Sequence, residues 1–238
     1  MDNTQYIALS RQMVMRRQLD FIAHNIANAD TTGFKAEKPL FVQYVEKAGR
    51  KDQITLVSDF GSVRDLREGA FQTTGNPLDL AIHGDGYFAI GQGNDVRYTR
   101  NGHFELDEES RLVTSAGDPV LDIDGREIQL GAGDTDITVG PDGTISSRAG
   151  LIARLQIVAF ERPQDLNREA NSLYSTNQDP IDPRNSSVVQ GAIEESNVVP
   201  VVEMTNMITL LRSYQSVQKL IDTDHNQQRD AVDKIMKA

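Results

Sequence analysis

Cysteine and tryptophan are both absent from this sequence of 238 residues. Without cysteine, the chain forms no disulfide, no thiolate metal site and no cysteine nucleophile. No stretch approaches the roughly 18 consecutive apolar residues that a membrane-spanning helix needs. The first residues have neither a basic segment nor a long apolar segment, so we expect no Sec signal peptide.

Basic residues are scarcer than acidic ones, 24 against 35, which gives a net charge of −11. The excess is central: residues 1–38 carry +1, residues 191–238 carry −2 and residues 39–190 carry −10. Nucleic acid and anionic membrane surfaces would repel such a chain. We therefore expect a solvated centre, near-neutral ends that associate with other proteins, and no nucleic-acid partner.

Apolar side chains near the N-terminus follow the alternating steps of four and three that are typical of a coiled-coil seam. They are Ala8, Met15, Leu19, Ile22, Ile26 and Ala29. The first glycine is Gly33, which fits the left-handed position at a helix C-terminus. We predict a helix over residues 4–29, whose two heptads of good apolar character are too few to make it stable alone.

The C-terminal region has the same pattern after Pro200, and neither glycine nor proline occurs beyond that residue. The seam is Met207, Leu210, Tyr214, Val217 and Ile221, and a second stripe is Met204, Ile208 and Leu211. We predict a helix of about 30 residues that frays toward Ala238. The two helices either bury their faces against each other and other subunits, or form an intramolecular hairpin that caps the centre.

Asn25 and Asn28 form a polar strip beside small residues in the first helix. Asparagine is a mediocre helix former. At a helix–helix contact its amide fixes the register of packing, whereas on a solvated face it has no special role. The residues alone leave both interpretations open.

Short β-like runs alternate with turn signals between residues 78 and 160, ending in a longer run over residues 151–160. Asn101-Gly102, Asp124-Gly125 and Asp142-Gly143 predict tight hairpin turns. The fold class is therefore α+β, with terminal helices that pair as a coiled coil and enclose a mainly antiparallel β domain. The predicted strands are residues 78–82, 86–90, 96–99, 111–114, 119–121, 128–130, 137–139, 144–146 and 151–160.

No motif in the sequence gives strong evidence for a catalytic, phosphate-binding or metal-binding site. Gly84-Asp85-Gly86 lacks the Gly-Lys-Ser/Thr of a phosphate loop, and turn glycines explain it better. Asp122-Ile123-Asp124-Gly125 resembles the start of a calcium loop, but glycine stands where the bidentate glutamate belongs. His83 and His103 each precede an acid by two residues, a possible metal pair without a third ligand. We predict no catalytic, cofactor-binding or metal residue and no small-molecule substrate.

Four separate motifs resemble the bacterial flagellar rod and hook protein family, in the family's order and over residues 5–235. The first is Leu19-Asp20-Phe21-Ile22-Ala23-His24-Asn25-Ile26-Ala27-Asn28-Ala29-Asp30-Thr31-Thr32-Gly33-Phe34-Lys35. The central ones are Thr74-Gly75-Asn76-Pro77-Leu78-Asp79-Leu80 and Tyr98-Thr99-Arg100-Asn101-Gly102-His103-Phe104. The last joins Ser196-Asn197-Val198 with Glu203-Met204 and Arg212-Ser213-Tyr214. The opening residues most resemble the proximal-rod members.

This resemblance implies a structural subunit of the basal-body rod, a helical drive shaft for motility that transmits torque and encloses the export channel. It implies paired terminal helices lining the tube, a β domain facing outward, and termini that are disordered before assembly. It also implies export through the flagellar type III apparatus into the periplasm without a cleaved signal. The implied partners are copies of the chain, other rod proteins and that apparatus, with no cofactor.

The expected domains are an N-terminal helix over residues 1–34, a β-rich centre with extended connections over 35–195, and a C-terminal helix over 196–238. The expected subunit and helix interface is Met15, Leu19, Ile22, Asn25, Ile26, Asn28, Met204, Met207, Ile208, Leu210, Leu211, Tyr214, Val217 and Ile221. Two other functional classes remain open. One is a secreted β-rich binding module with an autonomous helical hairpin, and the other is a hydrolase with an acidic site in the β domain.

Overall fold

The computed structural model describes residues 2–47, 53–93, 95–131, 136–183 and 185–236. The chain divides into two compact units. Unit 1 comprises Met1–Ala27, Ala36–Asp65 and Val198–Ala238, and unit 2 comprises Asn28–Lys35 and Leu66–Asn197. Each unit is therefore assembled from segments that are far apart in the sequence.

Unit 1 contains two long helices, α1 (Asp2–Ala27) and α2 (Pro200–Met236), which contact each other. Pro200 occupies the first position of α2, where its missing N–H is not needed. Glu203 lies in the first turn, where a negative charge favours the helix dipole. The predicted pair of terminal helices is confirmed, and with the antiparallel strands described below so is the α+β class.

An antiparallel hairpin, β1 (Glu37–Lys47) and β2 (Gln53–Arg64), completes unit 1. Its register shifts at a bulge between Leu40 and Phe41. The sequence pattern had predicted only extended connections here. The two runs are not joined by Asn-Gly or Asp-Gly, the strongest local signal for a hairpin.

Unit 2 is built from short antiparallel strands. The strands are β3 (Phe71–Thr73), β4 (Leu80–His83), β5 (Tyr87–Gln92), β6 (Asp95–Thr99), β7 (Phe104–Leu106), β8 (Leu112–Thr114), β9 (Thr138–Val139), β10 (Thr144–Ser147), β11 (Gly150–Arg154), β12 (Ile157–Val158), β13 (Asn167–Arg168), β14 (Leu173–Ser175), β15 (Ser187–Gln190) and β16 (Ala192–Glu194). A five-stranded sheet has the order β12-β5-β6-β14-β13, and a three-stranded sheet has the order β11-β10-β9. Pairs β15-β4, β16-β3 and β7-β8 complete the described strands.

Two clusters of buried apolar side chains form the core of unit 2. The larger one centres on Phe88 and Phe104, whose rings meet edge to face at 5.2 Å. In the smaller one, Tyr98 meets Phe160 edge to face and Tyr87 meets Phe160 at a tilt. Such aromatic contacts add to the stability that burial alone supplies.

Several strand predictions need correction. The run over residues 151–160 is interrupted at Leu155 and Gln156, whose N–H groups donate to Gly143 and Leu121 rather than continuing one ladder. Residues 119–121 and 128–130 form isolated bridges and single hydrogen bonds instead of strands. Irregular pairing of this kind leaves no distinct period in the sequence.

Asn101-Gly102 is not a hairpin turn, because β6 and β7 do not pair with each other. Glycine is needed at this position for another reason. The N–H of Leu80 donates to the Gly102 carbonyl at 2.9 Å, and a Cβ at Gly102 would lie 1.6 Å from the Leu80 carbonyl oxygen. Asp124-Gly125 and Asp142-Gly143 do form turns, with positive φ at each glycine.

Candidate assembly surface

The predicted helix seams lie on faces of α1 and α2 that are largely withdrawn from solvent. Met15 is buried, and Leu19, Ile22 and Ile26 are half-buried. The α2 seam is half-buried throughout, at Met207, Leu210, Tyr214, Val217 and Ile221. The side-chain amide of Gln12 donates a hydrogen bond to Gln218, which joins the two helices directly.

The second stripe of α2 stays in solvent. Met204 is 49%, Ile208 53% and Leu211 40% exposed, and Val201 in the preceding turn is 73% exposed. Because these residues are spaced at three and four, they share one face of the helix. A row of large apolar side chains in solvent is typical of a surface that another protein covers.

A groove of about 450 Å³ lies within unit 1. Its apolar walls are Phe21 and Ile22 from α1, Pro39 from β1 and Leu210 from α2. The remaining lining side chains are polar: Gln18, Asn25, Glu37, Lys38, Glu203, Asn206, Thr209 and Ser213. Because a single water occupies roughly 30 Å³ in the liquid, this groove has room for side chains.

Asn25 is 2% exposed and binds the backbone of Glu37 with both ends of its amide. Its Nδ2 donates to the Glu37 carbonyl at 2.9 Å, and its Oδ1 accepts the Glu37 N–H at 3.0 Å. The amide therefore anchors the first residue of the β1–β2 hairpin to α1. This role differs from both sequence-based interpretations, because the partner is neither water nor the other helix.

Asn28 and Gly33 form the turns that follow α1. Asn28 accepts hydrogen bonds from Thr31, and the N–H of Phe34 donates to the Thr31 carbonyl at 3.1 Å. Gly33 has φ +68°, as predicted, but it lies six residues beyond the end of α1 rather than at its C-terminus. A Cβ there would lie 2.6 Å from the Arg100 carbonyl carbon.

A buried ionic cluster holds together three segments of unit 2 that are far apart in the sequence. Lys35 and Arg100 face the carboxylate of Glu194, and all three side chains are at most 5% exposed. The Lys35 ammonium donates to Glu194 and to the Arg67 carbonyl, the latter at 2.8 Å. Arg100 also donates to the carbonyl of Gly84 at 2.7 Å.

Backbone hydrogen bonds reinforce this cluster. The Gly33 N–H donates to the Glu194 carbonyl at 2.7 Å, and the Asn197 N–H donates to the Phe34 carbonyl at 3.3 Å. The segments by which the chain enters and leaves unit 2 therefore run side by side. Burial lowers the pKa of Lys35, an effect that Glu194 opposes and Arg100 strengthens.

Glu194 was not among the residues that the sequence patterns predicted to be structurally important. A signal was present, because alternation along a strand places Ala192 and Glu194 on one face, and both are buried. A charged residue in step with a buried alanine indicates a paired carboxylate rather than a solvated one.

Three protein-family models match the chain. Residues 6–35 match the flagella basal body rod protein family, residues 81–147 match the D1 domain of the flagellar hook protein FlgE/F/G, and residues 189–233 match the C-terminal region of the flagellar basal body rod FlgEFG proteins.

Relatives that match over nearly their full length include flagellar basal-body rod proteins. The basal-body rod protein FlgF of Caulobacter vibrioides is 39% identical over the whole of this chain and 99% of its own length. The FlgF protein of Mesorhizobium japonicum is 35% identical over 93% of this chain and 92% of its own. The basal-body rod protein FlgG of Bacillus subtilis is 33% identical over 92% and 93%. This chain belongs to the flagellar basal-body rod protein family.

Membership of the rod protein family makes the chain a structural component of the flagellar basal-body rod rather than an enzyme. The matched segments contain α1 from residue 6, most of α2, and members of the ionic cluster: Lys35, Arg100 and Glu194. The regions that identify this rod protein therefore include both its terminal helices and the cluster at which the ends of unit 2 meet.

His103 and His83 have structural partners. Nδ1 of His103 lies 2.7 Å from the buried carboxylate of Asp79, which also accepts hydrogen bonds from Thr74 and Asn76. His83 lies 3.2 Å from Glu68. Among the described residues, no group of three or more His, Asp or Glu is placed to hold a metal, and no helix is long and apolar enough to span a membrane.

Proposed function

We propose that this rod subunit polymerises through its terminal helices and occupies the proximal part of the rod. The proposed interface comprises both seams, the exposed stripe, Asn25 of α1 and Asn28 just beyond it. Its residues are Met15, Leu19, Ile22, Asn25, Ile26, Asn28, Met204, Met207, Ile208, Leu210, Leu211, Tyr214, Val217 and Ile221. The helices line the tube and unit 2 faces outward.

The exposed stripe of α2 is the observation that carries this proposal. In the isolated chain, α1 and α2 already cover one face of each other, and Ile208 is still 53% exposed. An intramolecular helical hairpin alone has no use for this second apolar face. Polymerisation supplies a partner for it, because burying a large aliphatic side chain contributes about 1.5–3 kcal/mol.

The proximal position is supported by similarity. Identity to the FlgF protein of Caulobacter vibrioides, 39%, exceeds identity to the FlgG protein of Bacillus subtilis, 33%, and both matches cover nearly the whole chain. Assembly with other rod proteins follows from membership of the family. Export through the flagellar type III apparatus is the matching route for a rod component and is part of the proposal.

Substitution of Ile22 by aspartate tests the interface. A charge at this half-buried position opposes both the pairing of α1 with α2 and any neighbour in the groove that Ile22 lines. We expect Ile22→Asp to remove the protein from purified basal bodies and to abolish swimming, while unit 2 keeps its thermal unfolding transition.

The matched control is Ile123→Asp, because Ile123 is 56% exposed on unit 2 and lies outside the proposed interface. This variant should assemble and swim normally. Basal bodies that contain Ile22→Asp at the wild-type level would contradict the proposal.

A further inference from the structure

The exposed stripe and the groove of unit 1 lie on opposite sides of α2. A helix turns by about 100° per residue, so the stripe at Met204, Ile208 and Leu211 points roughly 165° away from the groove-lining face at Asn206, Thr209 and Ser213. The seam that contacts α1 lies between these two faces. Each chain therefore presents an apolar ridge on one side of this helix and a receptive groove on the other.

Charged side chains lie beside both surfaces. Arg212 and Lys219 are exposed and follow the stripe along nearly the same side of α2, with the exposed Asp222 further along that side. Glu203, Glu37 and Lys38 line the groove, and the Glu37 carboxylate already pairs with Arg64 at 3.8 Å. Within the part of the chain that the structure describes, no ion pair engages Arg212, Lys219 or Glu203.

We propose that the stripe of one copy packs into the groove of a second copy of this chain. Arg212 then faces the carboxylate of Glu203, and the apolar stripe covers Phe21 and Ile22. This inference rests on the proposed function and specifies its contact. Because ridge and groove are different surfaces, the contact is heterologous, and successive copies build a ring or a helical array rather than a closed pair.

Cysteine cross-linking tests this contact directly, because the chain has no cysteine of its own. Cells co-express full-length Ile208→Cys, on the stripe, with full-length Ser213→Cys, in the groove, and purified basal bodies are treated with a short bismaleimide. The controls are each variant alone, and Ile208→Cys with Ile123→Cys, since Ile123 is 56% exposed on unit 2 and lies outside both surfaces.

We expect the Ile208–Ser213 pair to yield about tenfold more cross-linked dimer than any control, the factor that separates a specific contact worth 1.4 kcal/mol from chance encounters. Equal cross-linking of Ile208→Cys with itself would overturn the proposal, because it would indicate a stripe that packs on the same stripe of another copy.

If both variants are present in basal bodies and the mixed pair fails to cross-link, the groove contact is wrong and the rod function stands. If neither variant enters basal bodies although the wild-type chain does, the cysteines themselves block assembly, and the charge exchange below decides. If the wild-type chain is also missing from basal bodies, the proposed function fails with it.

A charge exchange supplies the second test. Arg212→Glu is expected to lower incorporation into basal bodies about threefold, the effect of one exposed ion pair. Combining it with Glu203→Arg should restore incorporation, whereas Glu203→Arg alone should lower it. A double variant no better than either single variant would count against the pairing of stripe and groove.

Discussion

Units 1 and 2 differ in how completely they bury their apolar side chains. Unit 2 contains fully buried residues such as Phe88, Ile90 and Val120, packed in two continuous clusters. Where its side chains are described, at residues 7–27, 36–41, 61–65, 198–230, 232, 233 and 236, unit 1 buries only Ala8, Met15, Ala36 and Val198 among the apolar side chains. Unit 2 therefore has the core of an independent domain. Unit 1 instead leaves apolar side chains exposed, as expected of a surface that a neighbouring subunit covers.

The ionic cluster gives the largest expected effect within unit 2. Glu194→Ala leaves Lys35 and Arg100 without their buried carboxylate, and breaking such a pair typically destabilises a protein by about 3–5 kcal/mol. We expect this loss in the free energy of unfolding of unit 2, measured by urea denaturation of the full-length chain. Glu195→Ala is the control, because the neighbouring side chain is exposed and should change little. A wild-type transition for Glu194→Ala would refute the structural role of the cluster.

A matched pair of isoleucines compares the two units directly. Ile90 in β5 is fully buried, so Ile90→Ala should destabilise unit 2 by about 2–5 kcal/mol. Ile208 is 53% exposed, so Ile208→Ala should change the stability of the monomer by less than about 0.5 kcal/mol. Only Ile208→Ala should weaken assembly while the monomer stays folded. Equal destabilisation of the monomer by both variants would remove the contrast between the units.

Much of this contrast was predictable from the sequence. Heptad spacing predicted the seams at Met15 and Ile22 and on α2, because the spacing of apolar residues along a helix indicates which face is shielded from solvent. The stripe at Ile208 was visible as a second row, but its exposure was not, since exposure depends on where α1 lies. Glu194 and the Asn25 anchor were missed because both depend on partners many residues away, and no local pattern encodes such contacts.

Asn25 offers a smaller test within unit 1. Asn25→Ala removes both hydrogen bonds to Glu37, and leaving buried polar groups unsatisfied costs about 1–3 kcal/mol. Asn25→Asp should cost less stability than Asn25→Ala, because a carboxylate still accepts a hydrogen bond from the Glu37 N–H but cannot donate one to the Glu37 carbonyl. We expect faster amide exchange over the described residues of β1 and β2, with unit 2 unchanged. Unaltered exchange in the hairpin would show that the anchor has no role.

The smallest expected effect is the acid sensitivity of unit 2. Hydrogen bonds from Thr144 lower the pKa of Asp142, and Ser175 together with Arg97 lowers the pKa of Glu169. A carboxylate with a lowered pKa in the folded state stabilises the fold above its ordinary range, and that contribution is lost as the pH falls through the folded pKa. The melting temperature of unit 2 should therefore drop below about pH 4, near the ordinary carboxyl values.

Thr144→Val removes one donor to Asp142 and should reduce the steepness of this acid transition, with little effect near neutral pH. Because both carboxylates are exposed, the change is expected to be small. A steeper acid transition in Thr144→Val than in the wild type would contradict the assignment.

Amide hydrogen exchange, compared between the monomer and assembled basal bodies, tests most directly whether each unit is fully folded and buried without its neighbours. If α2 finishes its burial only in the rod, its amides exchange much faster than those of β5 in the monomer and become strongly protected after assembly. The amides of β5 should exchange equally slowly in both states. Equal and strong protection of α2 and β5 in the monomer, unchanged in the rod, would contradict the claim that unit 1 is completed by its neighbours.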